Sequence, residues 1–258
     1  MNQILEIALK PDALERDGHI AQEIHRKLGI KESEKVFFQV LKRSLDARKS
    51  PVYRFRILVS DAPIPEPDAF KEKFKDVSTA EKVIIVGAGP AGYYAAMECL
   101  ESGLKPIVFD RGKNVRDRRR DLRAIQQFSV VNPDSNYCFG EGGAGTYSDG
   151  KLYTRSGKRG DLYKVSKLFV EHGATPEILY DAHPHIGSNK LPEIIQKMRE
   201  SIESHGGEIH FDQQVTDLVI QNGKIKGVRT KAGMECFADA VILATGHSAR
   251  DIFYLLHA

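Results

Sequence analysis

Apolar residues recur with two different periods along this chain, and the change of period divides it. Residues 2 to 9 (NQILEIAL), 35 to 42 (KVFFQVLK) and 51 to 59 (PVYRFRILV) predict strands, the last from Val52, Tyr53, Phe55 and Ile57 set among basic residues. Between the first two, Ile20, Ile24 and Leu28 fall four apart, as on one face of a helix, and Gly29 ends it. This β-α-β-β order predicts a small α+β module over residues 1–62. Pro63, Pro65 and Pro67 follow, and prolines so spaced hold an extended segment that cannot join a central strand. We therefore expect a linker over residues 63–80.

From 81 the rhythm becomes strand, glycine turn, helix and strand, that of an α/β domain with a parallel sheet, expected over 81–258. Val115 to Phe128 predicts a basic helix inside a helical and loop insertion around 113–205. Further helices are expected at 160–172 and 190–205, the latter ended by Gly206-Gly207, and strands at 208–211, 214–221, 224–230 and 238–244. Asn222-Gly223 marks a hairpin between two of these strands.

Composition changes this picture little. With 258 residues, 41% hydrophobic and 28% charged, the chain reads as an ordinary globular protein, and a net charge of +3 points to neither a nucleic acid nor a membrane. Cys99, Cys138 and Cys236 are too scattered for a disulfide framework or a metal motif, so no metal is expected and a reducing cytoplasm suits them. The start has no signal-peptide pattern, and the longest apolar run, Val83 to Met97, holds three glycines and a proline and is too short to span a bilayer. A soluble, cytoplasmic protein is expected.

The chemistry begins at EKVIIVGAGPAGYYAAMECL, where an apolar strand runs into Gly87-Ala88-Gly89-Pro90-Ala91-Gly92 and then a helix. In that context Gly87 permits a tight turn, Gly89 lets a pyrophosphate approach the main chain, and Gly92 packs helix against strand. The amides and positive dipole end of the helix face the phosphates, and Pro90 costs little at the first turn. The next strand ends at Asp110, 23 positions after Gly87 (110 − 87), where a carboxylate can accept from both ribose hydroxyls and would repel a 2′-phosphate. A dinucleotide site follows from these residues; whether it takes NAD or FAD does not.

VIIVGAGPAGYYAA, IVFDRG at 107–112 and ADAVILATGHSAR at 238–250 resemble, in that order, the FAD-binding domain of two-dinucleotide-binding flavoproteins. FGEGGAGTYSDGKL at 139–152 and HIGSNKL at 185–191 narrow the resemblance to the bacterial FAD-dependent dehydrogenases, a largely uncharacterised family of NAD/FAD-utilising oxidoreductases. The likeness covers essentially the whole chain. It implies a Rossmann-like FAD-binding domain behind a small N-terminal module, with Gly87, Ala88, Gly89, Pro90, Ala91 and Gly92 at the pyrophosphate and Asp110 at the ribose. Arg111 and Gly112 would shape the adenosine end, Val215 would offer backbone to the adenine edge, and Ala244, Thr245 and Gly246 would return the chain to the cofactor. The run Gly142, Gly143, Ala144 and Gly145 would fold back over FAD between pyrophosphate and flavin, with Thr146, Ser148 and Lys151 able to face phosphate and Glu141 and Asp149 not. A later strand ending in Gly-Asp, which related flavoproteins use at the ribityl chain, does not appear in the twelve residues after Gly246 (258 − 246). A fragment holding the adenosine half of FAD is therefore expected.

Other residues keep two readings. Cys138 is either a thiol near the flavin or, as the favoured reading, a small buried hydrophobe. Ser188 or Asn189 is expected to cap the helix that follows. His183 and His185 lack the further ligands a metal would need, and His247 is either a proton donor facing the flavin or an exposed strand-end histidine. Arg116, Arg118, Arg119, Arg120 and Arg123 read as a solvated helix face, or as contacts to phosphates or an acidic substrate. No second GxGxxG marks an NAD(P)H site, although NAD(P)H stays a candidate reductant. The leading expectation is a flavoprotein oxidoreductase. A nucleotide-binding module without turnover and an FAD-dependent RNA-modification factor are the alternatives.

Overall fold

The computed structural model describes residues 2–14, 18–148, 150–152 and 160–257. Its elements run β1 (Asn2–Leu9), α1 (Pro11–Leu14), α2 (His19–Leu28), β2 (Phe37–Asp46), β3 (Val52–Ser60), β4 (Lys82–Val86), α3 (Pro90–Ser102), β5 (Lys105–Phe109) and α4 (Val115–Phe128). There follow α5 (Leu162–Glu171), α6 (Leu191–Ser204), β6 (Glu208–His210), β7 (Val215–Gln221), β8 (Lys224–Thr230), β9 (Glu235–Phe237), β10 (Ala240–Leu243) and α7 (Arg250–His257). Short 3-10 turns lie at Phe70–Lys73, Gly143–Gly145 and Pro176–Leu179. The chain divides into two compact units: Met1–Asp68 with Lys151–Val170 and Thr175–His185, and Ala69–Gly150 with Glu171–Ala174 and Ile186–Ala258.

The first unit carries an antiparallel sheet of order β1-β3-β2. Ile7, Phe55, Ile57 and Val59 of that sheet share one core with Ile24 of α2, whose four-residue apolar spacing is what the helical reading relied on. Gly29 closes α2 with φ +66°, a conformation glycine adopts without strain. The residues near 181 run beside the edge of β2. Arg43 donates its amide to Tyr180 O, accepts from Ala182 N, and forks its guanidinium onto Asp181 at 2.6 and 2.9 Å.

The second unit is the α/β part, with a parallel sheet of order β10-β4-β5-β6. Ile84, Val86, Ile107 and Phe109 pack with Val215 and Val228, so the antiparallel β7-β8-β9 meander supplies one apolar cover for the sheet. Ile85 and Val108, on the alternate positions, are also fully buried, and α3 packs on β4 and β5 while α6 packs on β6. Burial on both faces is why these strands read as unbroken apolar runs. Asn222 and Gly223, both at positive φ, turn β7 into β8. No helix among the described residues is long and apolar enough to cross a membrane.

Candidate functional site

The carboxyl end of β4 turns through Gly87, at φ +111°, into α3. A side chain on Gly92 would run into the carbonyl oxygen of Gly87, and one on Gly87 into that of Ala244, so these two glycines serve the chain's own packing. Gly89 is different. A Cβ there would meet only Gly143 Cα, at 3.9 Å, an ordinary contact. The missing side chain therefore leaves open space in front of the helix, and no side chain caps the α3 N-terminus. First-turn amides and dipole face that space, as an anion requires.

Asp110, at the end of β5, is 7% exposed. Its Oδ2 accepts from Ala88 N and its Oδ1 from Gly112 N, both at 2.8 Å, which ties the acid to the glycine turn. Burial raises its pKa, and the Ala88 and Gly112 amides, the Arg118 charge and the Gly140 amide oppose the rise. Asp110 lines one pocket with Gly87, Arg111, Gln213, Val215 and Thr245. The Gln213 side-chain oxygen is buried without a hydrogen-bond partner among the described residues, an acceptor such as a bound ring amine or hydroxyl would satisfy. Arg111 is held by Asp134 at 2.8 Å and Asp251 at 3.0 Å, with its guanidinium 4.4 Å from the Phe139 ring centroid. Gly112 lets the Gly140 and Asp134 backbone pass within 2.7 Å of where a Cβ would stand.

The glycine run docks on this turn. Gly142 N donates to Ala88 O at 2.8 Å, and Gly143 lies against Gly89 and Pro90. Ala144 is exposed, and Gly145 has open space where a Cβ would be. Beneath the run, Glu141 is fully buried and accepts from Tyr93 Oη at 2.7 Å, Arg199 Nε at 2.9 Å and Val115 N at 2.6 Å. Burial, then the Glu141 charge, pushes the Tyr93 hydroxyl far up, so it stays a donor. Arg118 is 1% exposed; it reaches the carbonyls of Asn136, Tyr137 and Glu141, and burial lowers its pKa.

Several expected contacts fall elsewhere. Thr146 is fully buried, and its hydroxyl donates to Glu141 O at 3.0 Å instead of facing the open space. Ser148 Oγ donates to Gly145 O at 2.7 Å within the loop. Lys151 belongs to the first unit, where it bridges His185, and Asp149 lies outside the described residues. Arg118 is not on a solvated face. Its place at i, i+3, i+7 with Val115 and Leu122 was the available signal, masked by its charge. Cys138 is exposed, and Cys99 is the buried thiol. Neither Ser188 nor Asn189 caps α6, because Lys190 occupies the N-cap and no side chain closes it. Glu141, Gln213 and Asp251 were not singled out as binding groups, since one lone polar residue in a loop carries no periodic or motif signal.

Three known families match parts of the chain. A domain of unknown function (DUF8436) covers residues 1–60, an FAD binding domain covers 82–118, and the FAD dependent oxidoreductase family covers 191–257. The last two bracket the turn, the acid and the Ala244–Gly246 segment. Over 82–118 and 191–257 the chain is thus similar to FAD-binding oxidoreductases. An uncharacterised protein of Clostridium beijerinckii is 30% identical over 255 residues, spanning 92% of this flavoprotein chain and 48% of its own length. The tRNA uridine 5-carboxymethylaminomethyl modification enzyme MnmG of Caldicellulosiruptor saccharolyticus is 28% identical, over 64% of this chain and 24% of its own. The solved THI4 structure of Thermovibrio ammonificans is 16% identical with a TM-score of 0.44, covering 69% of this chain and 61% of that one. The flavoprotein chain thus spans about half or less of the two sequence relatives' length.

Proposed function

We propose that this chain holds the adenosine diphosphate half of FAD for an oxidoreductase whose substrate its residues do not name. The observation that carries the reading is Gly89, open where neighbouring glycines are filled by the chain's own backbone, beside a pocket that gathers Asp110, Gln213, Val215 and Thr245. In this reading the α3 amides at Ala91 and Gly92 hold the pyrophosphate. Asp110 fixes the turn through Ala88 and Gly112 and directs its carboxylate at the ribose. Gln213 and the backbone near Val215 face the adenine, with Thr245 and Gly246 closing the pocket. Gly142, Gly143, Ala144 and Gly145 lie along the pyrophosphate on the flavin side, where the run's contact with Ala88 supports them. Bound FAD would supply the hydride or electron transfer, and the chain's residues bind and orient it. Three free cysteines suit a reducing cytoplasm.

The test is spectroscopic. The purified chain should bind FAD in equimolar amount, show a flavin spectrum that bleaches with dithionite, and lose binding when Asp110→Ala removes the acid. A chain that binds ADP and leaves FAD free in solution would overturn the reading.

A further inference from the structure

Helix α4 divides its arginines between two faces. Arg118 goes inward with Val115 and Leu122, while Arg116, Arg119, Arg120 and Arg123 fall at i, i+3, i+4 and i+7, one stripe of the helix. All four are exposed, and they line a single groove of about 770 Å³. Ser188, Asn189 and Pro192, at the start of α6, line it too. The positive dipole end of α6 is left without a side-chain cap. Tyr137 and Tyr147 add aromatic rings.

Glu193 is the one acid in that lining among the described residues. Arg120 has Asp117 at 3.4 Å on its own helix, and Arg123 donates to Gln127 at 3.0 Å. The guanidinium groups of Arg116 and Arg119 make no hydrogen bond or ion pair among the described residues. Like charges at these spacings repel, and a concave wall concentrates their potential, so the groove attracts anions before any contact forms. Guanidinium forks match phosphate oxygens two at a time, and tyrosine faces accept a planar ring. The volume lies in the range of small-molecule sites.

We infer that this groove binds a nucleotide carrying two or more phosphates, at a site separate from the dinucleotide turn at α3. The binding itself does not depend on the oxidoreductase reading; in that reading, the groove would take a nucleotide reductant or substrate.

The test is calorimetric titration of ATP, and separately of NADPH, into the chain at saturating FAD, repeated with the Arg116→Gln/Arg119→Gln double variant. Neither side chain makes a hydrogen bond or ion pair among the described residues, so the variant should melt near the parent temperature and bind FAD equally. Saturable nucleotide binding that weakens about tenfold in the variant, and weakens again as salt rises, is the expected result. Equal affinity in variant and parent, or no saturable binding of either nucleotide, overturns the inference. So does binding of tRNA that neither nucleotide displaces, which would make the stripe a nucleic-acid surface. Failure of FAD to bind counts against the oxidoreductase reading alone, because the groove is scored by the difference between parent and variant.

Discussion

The amide of Gly142 donates to the carbonyl of Ala88 at 2.8 Å, so the glycine run is fastened to the turn that opens α3. Gly142 sits at φ +78°, and a Cβ there would collide with Thr146 Oγ1 and stand 3.2 Å from Ile195. Gly142→Ala should therefore lower stability by about 1–3 kcal/mol from backbone strain and displacement of the buried threonine. Differential scanning calorimetry checks the loss, and FAD titration should show weaker binding alongside it.

Gly89 and Gly92 make a sharper pair. Gly92→Ala drives a methyl into the Gly87 carbonyl and should cost several kcal/mol or prevent folding. Gly89→Ala meets only Gly143 Cα at 3.9 Å, so its melting temperature should stay near the parent's while FAD affinity falls about tenfold or more. A Gly89→Ala chain that folds and binds FAD normally would remove the pyrophosphate from this turn.

Glu141 joins three elements, accepting from Tyr93 on α3, Arg199 on α6 and the first residue of α4. Glu141→Leu leaves those three donors without their acceptor, and breaking such a buried set costs about 3 kcal/mol or more. Arg199→Met should be milder, since its side chain is 22% exposed while Glu141 keeps two of its three donors. Urea unfolding of both variants should rank them in that order.

Lys105 on β5 meets Glu208 on β6 at 2.6 Å. The Lys105 ammonium, aided by His210 and against partial burial, holds the Glu208 carboxyl below its usual 4.5. A depressed folded pKa gives stability that is present above the ordinary value and lost as pH falls through the folded one. The melting temperature should accordingly drop below about pH 4.5, and Glu208→Gln should flatten that acid limb. An unchanged acid limb in the variant would show that the pair contributes nothing measurable.

The strands, the turn and the acid were legible because each has a local cause. Alternation fixes β3, glycines at set offsets fix the β4 turn, and Asn222-Gly223 can reach the positive φ of a hairpin. Three short elements escaped this reading. Helix α1 has four residues and strand β9 three, too few to show a period, and α7 follows a segment recognised for its glycine, not for its apolar spacing.

By itself the sequence determined an α/β chain with a glycine turn after β4 and an acid at the end of β5, since those depend on backbone conformations that only certain residues adopt. Tertiary structure alone decided how polar groups are shared out. Glu141 went inside because Tyr93 on α3 and Arg199 on α6 come to it, and Arg118 because the carbonyls of Asn136, Tyr137 and Glu141 do, all far away in sequence, while Thr146 bonds locally to the Glu141 carbonyl. Gly89, by contrast, keeps room for a side chain because, among the described residues, only Gly143 Cα comes near it, at 3.9 Å from where a Cβ would stand.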